Sequence, residues 1–335
     1  MQAALSKRAL ITGITGQDGS YLAELLLEHG YEVHGLVRGL PGGDLERLRS
    51  IRDRLVLHRG DLLDQDSVTA AMRECEPDEI YNLAAMSVGS ASWDEAVLTG
   101  ELTGLGVTRV LEAMRGACPQ ARFCQASSSE VFGQAEESPQ NELTPFSPRS
   151  PYGAAKAYAQ FIVRSYRERL GLFACSAVLF NHESPRRGPQ FVTRKITRGA
   201  AAIKLATATE LRLGSLDARR DWGYAPDYVK AMWLMLQQDD ADDFVLGTGC
   251  QHSVADLVEI AFNRVGLDAG QYVTQDPAFM RGGEPDRLVA DSSMAYERLG
   301  WQHTIDFEQM VGLMVDADLA RAEAGSGSSQ LPADL

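Results

Sequence analysis

Short apolar runs alternate with amphipathic stretches through the first half of the chain. Arg8-Ala-Leu-Ile-Thr12 reads as a buried strand and leads into Gly13-Ile-Thr-Gly-Gln-Asp-Gly19. A helix is predicted from about Ser20, with Leu22, Leu25 and Leu26 on one face and Gly30 as its stop. Further strands are expected at 31–37, 55–59, 79–83, 122–126 and 173–180, and helices at 65–74, 100–115 and 152–170. This alternation predicts an α/β fold with a doubly wound, parallel Rossmann sheet, whose ligands bind at the carboxyl ends of the strands. After Phe180 the pattern changes to short, mixed elements, with structural helices at 226–238 and 253–265. The expected organisation is a dinucleotide-binding domain over 1–180 and a smaller mixed α/β substrate lobe over 181–321, with the chain crossing between them. A Gly/Ser-rich tail over 322–335 is expected to be flexible.

Composition narrows the class. With 335 residues and 44% apolar content the chain can bury a sizeable core. A formal charge of −14 argues against nucleic acid or a membrane surface as a partner. The five cysteines contain no CxxC pair, which fits a reduced, cytoplasmic setting. No apolar run spans a bilayer, and the amino-terminal residues do not read as a signal peptide. The six histidines show no ligand-type spacing, so no metal site is expected.

The candidate chemistry sits where the strands end. A strand, a glycine turn and a helix in that order form the context of a dinucleotide site. Gly13 permits the tight turn, Gly16 lets the backbone approach a pyrophosphate, and Gly19 allows close helix–strand packing. Arg38 ends the second strand where an NAD site usually carries an acidic residue, which favours the 2′-phosphate of NADP. Asp61 stands at the end of the third strand, and Ala84-Ala85-Met86-Ser87 forms the exit of the fourth. Ser127-Ser-Ser-Glu130 directly follows the 122–126 strand. Tyr152 and Lys156, four apart, share one face of the following helix. Alone, such a pair is common on helices. Beside Ser128 and Glu130 it makes an alcohol-oxidising constellation, with the lysine expected to lower the tyrosine pKa. The polar run Asn181–Gly188 reads as a loop at another carboxyl end. Arg194-Lys195, Arg219-Arg220 and Arg281 are read as cations at turns forming an anion site.

At these residues the chain resembles the GDP-mannose 4,6-dehydratases of the extended short-chain dehydrogenase/reductase superfamily. The resemblance covers about residues 7–320. Its specific runs are Ala9–Gly19, Pro148–Lys156, Leu179–Pro185, Phe191–Lys195 and Asp217–Gly223. It implies NADP-dependent dehydration of a GDP-sugar, with GDP-mannose yielding GDP-4-keto-6-deoxymannose. It implies that Tyr152, with Lys156, takes the C4 hydroxyl proton, and that Ser128 contacts the C4 oxygen. Glu130 would remove the C5 proton and help expel the C6 hydroxyl. By the same resemblance Gly13, Thr15, Gly16, Gln17, Asp18, Gly19, Arg38, Asp61, Leu62, Leu83, Ala84, Ala85, Ser87, Lys156, His182 and Arg187 line the cofactor. Ser87, Asn181, Glu183, Val192, Lys195, Arg220, Arg281 and Glu284 match substrate contacts. Ser128 stands where the family usually has threonine, and Met86 where it usually has glutamine. Leu98, Ser215 and Gly282-Gly283 also depart from common family residues, which leaves open a GDP-manno-heptose, or an epimerase or 4-ketoreductase on the same scaffold. The segment Gly39–Asp44 lacks the arginines through which the family builds tetramers, so a homodimer is expected.

Overall fold

A computed structural model describes residues 6–39, 45–87, 91–280 and 288–325. The glycine turn lies between strand β1 (Arg8–Thr12) and helix α1 (Gln17–Glu28). The helix thus begins three residues before the expected Ser20, so Gln17, Asp18 and Gly19 form its first turn. Gly13 has φ +71, and a Cβ there would sit 2.8 Å from the amide nitrogen of Ala84; one on Gly19 would sit 2.3 Å from the Gly13 carbonyl oxygen. Both positions therefore exclude a side chain.

The chain continues through β2 (Glu32–Val37), β3 (Leu55–Arg59), α2 (Gln65–Cys75) and β4 (Glu79–Asn82). Asp64 caps α2 by accepting from the amides of Asp66 and Ser67. The helix expected at 100–115 begins earlier, as α3 (Ala96–Thr99). It passes through a π-helical turn at Gly100–Leu105 and ends as α4 (Gly106–Ala117). There follow β5 (Arg122–Ala126), α5 (Pro151–Leu170) and β6 (Ala174–Leu179). Ser150 caps α5, Pro151 occupies its first turn, and Gly171 in the left-handed region ends it.

The second half of the chain comprises β7 (Asn181–Glu183), α6 (Val192–Lys204), β8 (Leu211–Leu213), β9 (Arg219–Tyr224), α7 (Ala225–Met235), β10 (Phe244–Leu246), β11 (Gln251–Ser253), α8 (Val254–Arg264), β12 (Val273–Gln275), α9 (Ser293–Leu299) and α10 (Phe307–Gly325). Three expectations change here. Asn181–Glu183 is a strand rather than a loop. Arg194 and Lys195 lie on α6, and Arg219 and Arg220 on β9, so none of these four is at a turn. Helix α10 continues past 322 to Gly325.

The central sheet has seven parallel strands in the order β10-β6-β5-β4-β1-β2-β3. Its last strand, β10, comes from the second half of the chain. Helices α1 and α7 pack on one face; α2, α4 and α5 cover the other. A third core joins α6, α8 and α10 through residues such as Ile196, Leu257, Phe262 and Met314. β9 lies between β7 and β11 in a small sheet, which sets the second lobe beside the carboxyl ends of the main sheet.

Candidate active site

β5 delivers the serine run into the crevice. The Ser127 hydroxyl donates to Gln160 on α5 at 2.9 Å. Ser128 is extended, and its hydroxyl oxygen accepts from the Glu130 amide at 3.3 Å, starting a single 3-10 turn at Ser129–Val131. Val131 and Phe132 are fully buried beneath that turn, with Phe180 against them. The cap of α5 then fixes the glutamate: the Ser150 hydroxyl accepts from the Gly153 amide at 3.0 Å and donates to Glu130 Oε2 at 2.8 Å. A Cβ on Gly153 would lie 2.7 Å from the Glu130 carbonyl oxygen, so this contact requires glycine. Tyr152 forms a side-chain hydrogen bond with Ser128. Ser128, Glu130 and Tyr152 are thus gathered in one corner, with Ser150 as a fourth member that the sequence reading passed over.

The electrostatics differ from expectation at Tyr152. Burial raises its pKa well above the phenol range, the nearby Glu130 adds to this, and the Ser128 hydrogen bond opposes it. Lys156 is itself buried, which lowers its pKa to about 8. Its Nζ donates to the Ala126 carbonyl at 2.6 Å and stands 5.6 Å from the Tyr152 ring centroid. The expected lowering of the tyrosine pKa by the lysine is therefore not found, because burial dominates.

A buried polar row backs this corner. The Thr12 hydroxyl donates to Asn82 at 2.6 Å, and Asn82 donates to Gln125 at 2.7 Å. Gln125 in turn donates to the Ala126 carbonyl that also holds Lys156. Thr12 Oγ1 accepts from the amides of Leu83 and Ala84, which shapes the exit of β4. Ala85 and Ser87 continue that exit, and the Met86 amide donates to Thr103 within the π turn.

The glycine turn offers an anion cradle. Gly16, at the N-cap of α1, supplies no side-chain cap, so first-turn amides of the helix are open to an anionic group. Thr15 is half-buried beside it, and its carbonyl accepts from Arg47 Nη1 at 3.4 Å. Arg47 also donates to the Arg186 carbonyl; this cation was not singled out in the sequence. Arg38 is exposed just past the end of β2. Asp61 follows β3 and accepts from the Leu63 amide, and the buried Leu62 gives its carbonyl to Arg109.

Gln17 and Asp18 reach toward the second lobe. Gln17 donates to the His182 carbonyl at 3.0 Å and accepts from Ser184 at 2.7 Å. His182 donates from Nδ1 to the Phe180 carbonyl at 2.7 Å, and its Nε2 is 3.0 Å from Asp18 Oδ2. Burial opposes a charge on either partner, yet the pairing outweighs it: His182 is raised and Asp18 lowered. Arg187 Nε lies 3.1 Å from the buried Glu183 carboxylate, and its guanidinium lies over Phe191. Burial pushes the Glu183 pKa up, against the pull of Arg187 and a hydrogen bond from Thr193.

The remaining substrate candidates are dispersed over three elements. Asn181 and Glu183 lie on β7, beside Arg220 on neighbouring β9. Val192 opens α6, and Lys195 one turn later lies 3.9 Å from the Phe279 ring centroid. Arg281, Glu284 and Gly282-Gly283 lie outside the described residues, as do residues 40–44 of the segment expected to set the oligomer.

The family model described as GDP-mannose 4,6 dehydratase matches residues 10–314. The chain belongs to the GDP-mannose 4,6-dehydratase family. It is 47% identical over 329 residues to GDP-mannose 4,6 dehydratase 1 of Arabidopsis thaliana, covering 95% of this chain and 91% of the relative. To the GDP-mannose 4,6 dehydratase of Homo sapiens it is 47% identical over 338 residues, covering 93% and 91%. In fold it is similar to a dTDP-glucose 4,6-dehydratase from Streptomyces venezuelae solved with NAD and TYD bound. There the TM-score is 0.83 at 24% identity, covering 95% of this chain and 98% of the other. Like other members of the GDP-mannose 4,6-dehydratase family, the chain is an enzyme of the carbon–oxygen lyase class. Among the described residues of this family member, no helix is long and apolar enough to cross a membrane.

Proposed function

We propose that the chain dehydrates GDP-mannose to GDP-4-keto-6-deoxymannose with NADP as a resident cofactor. The observation that carries this reading is the joint placement of two acid–base groups: Tyr152 bonded to Ser128, and Glu130 held by Ser150 in the same corner. An alcohol oxidation alone needs only the first. The names of relatives in two kingdoms support the sugar, and the open amides of α1 fit a pyrophosphate. Arg38, exposed just past the end of β2, supports NADP over NAD through the charge of a 2′-phosphate.

When bound, NADP supplies hydride acceptance at sugar C4 and hydride return at C6. Tyr152 takes the C4 hydroxyl proton as general base, while Ser128 offers its hydroxyl to the C4 oxygen. Lys156 adds a positive charge behind the tyrosine. The C4 ketone acidifies the C5 proton; Glu130 takes that proton and then protonates the departing C6 hydroxyl, which leaves as water, and a solvent proton returns to C5 when hydride reaches C6. The second lobe holds the nucleotide with Asn181, Lys195 and Arg220, joined by Arg281 and Glu284.

The decisive experiment pairs Glu130→Gln with incubation in heavy water. The parent protein should convert GDP-mannose with loss of one water and take up deuterium at C5. The variant should lose water elimination while still reducing bound NADP slowly. Dehydration at the parental rate in Glu130→Gln would refute the assignment. Intact GDP-mannose with conversion of a GDP-manno-heptose would move the substrate, and a product isomeric with the substrate would indicate an epimerase.

The protein acts as a homodimer. Leu105, Tyr158 and Phe161 are exposed on adjoining surfaces of the α3–α4 helix and α5, where Tyr158 bonds Thr108. Light scattering should return twice the chain mass; a monomer or tetramer mass would contradict this.

A further inference from the structure

Linear spacing shows no metal-ligand pattern, but the fold assembles one. His34 on β2 and His58 on β3 lie on one face of the sheet, because His34 is in register with Val56 and His58 with Leu36. Cys75 is the last residue of α2, which packs over that face. The two imidazoles stack with centroids 5.1 Å apart, and Nδ1 of His34 is 2.8 Å from Nε2 of His58. One potential ligand atom from each of His34, His58 and Cys75 falls within 4.8 Å of the others, and all three residues are buried.

The outer ring nitrogens decide what belongs between the inner ones. His34 Nε2 faces Glu32 Oε1 at 3.1 Å, and His58 Nδ1 faces Glu74 Oε2 at 3.2 Å. An ionised carboxylate only accepts, so each outer nitrogen carries the proton. In a neutral imidazole the inner nitrogen then presents a lone pair. Two lone pairs facing each other at 2.8 Å repel unless a positive centre lies between them. A proton would serve, but it gives no role to the thiol alongside. A metal ion uses all three donors, and carboxylates behind the imidazoles are the usual outer support of histidine ligands.

We propose that His34, His58 and Cys75 form a buried site for one transition-metal ion with soft or borderline character, zinc foremost. Two imidazoles and one sulfur suit Zn2+ or Cu+ and disfavour Mg2+ and Ca2+. Zinc–nitrogen bonds of about 2.0–2.1 Å need the inner nitrogens to part to roughly 3.3 Å in tetrahedral geometry, a small ring movement. Binding forms a sulfur–metal bond as the Cys75 thiol releases its proton to solvent; no oxidation state changes. The ion would tie edge strand β3 to β2 and α2. Cys75 closes α2 just before β4 begins, so the site lies toward the amino ends of the strands, away from the crevice. It is therefore a structural staple rather than part of the chemistry.

The test uses the full chain stripped by chelator dialysis and titrated with Co2+ alone, whose thiolate complexes absorb strongly in the near ultraviolet. The band should saturate at one cobalt per chain, be displaced by Zn2+, and persist in Cys250→Ser, which removes an exposed thiol elsewhere. Loss of the band in Cys75→Ser supports the site. No saturable band, or one surviving in Cys75→Ser, overturns it and leaves a proton-bridged histidine pair. If Cys75→Ser does not fold, Glu74→Gln decides, since that side chain is 76% exposed. A loss of affinity of about tenfold in Glu74→Gln supports the site, and unchanged affinity overturns it.

Discussion

The ammonium of Lys156 is held by a strand carbonyl, and burial brings its pKa down to about 8. In the proposed mechanism its protonated form lends charge to Tyr152, so activity should be lost as pH rises through that value. The alkaline limb of kcat/KM, which reports groups of the free enzyme, should therefore fall with an apparent pKa near 8. A profile flat to pH 10 would show that the lysine charge is not needed. The raised pKa of Tyr152 has a related meaning: its proton acceptance depends on the Ser128 hydrogen bond and on charge brought by ligands, not on Lys156 alone. None of this was legible from the four-residue spacing, which gives a shared face but not the depth of burial or the competing carbonyl.

Among the elements, the first turn of α5 holds the proposed catalytic corner together. Ser150 caps the helix and orients Glu130 with the same hydroxyl, and Gly153 lets the 3-10 turn approach. Gly153→Ala should displace Glu130 and cost about 1–3 kcal/mol of stability through overpacking. The expected kinetic result is a fall in kcat larger than any change in KM, with a lower thermal midpoint. Unchanged kcat would mean that the turn tolerates the shift. Serine before Pro-Tyr signals a helix cap in sequence, but its second bond, to a glutamate 20 residues earlier, is tertiary.

Across the whole molecule, the parallel strands and the helices Ala225–Met235 and Val254–Arg264 were legible and the short polar strands after Phe180 were not, for a physical reason. Buried parallel strands such as Arg8–Thr12, with its Ala-Leu-Ile run, are short apolar stretches followed by amphipathic helices, a local signal. β7 and β9 are short or polar strands defined by pairing with each other, so Asn181–Glu183 and Arg219–Arg220 read as loop and turn. The contacts joining the lobes are likewise long-range. The pair Asp18–His182 spans 164 residues. His182, raised, contributes fully below 6.5 and loses its contribution as pH rises through its folded pKa; Asp18, lowered, contributes fully above 3.8 and loses it as pH falls through its own. The pair is thus strongest between these limits. Asp18→Asn should remove about 2 kcal/mol near pH 5.5 and less near pH 8, read from denaturant midpoints. An equal loss at both pH values would show that the charge is not involved.

The bonds from Gln17 and Asp18 to residues 182–184 also bear on time rather than geometry. They are internal to the protein and join the turn that would hold a pyrophosphate to the lobe that would hold the sugar. In a reaction that removes a hydride and returns it within one turnover, the cofactor ends each cycle as it began. An enzyme of that kind gains nothing by releasing it, and a wall fastened at two points slows its escape. Sugar nucleotides would then come and go past a tenant that stays, and the chain should carry its nicotinamide through purification.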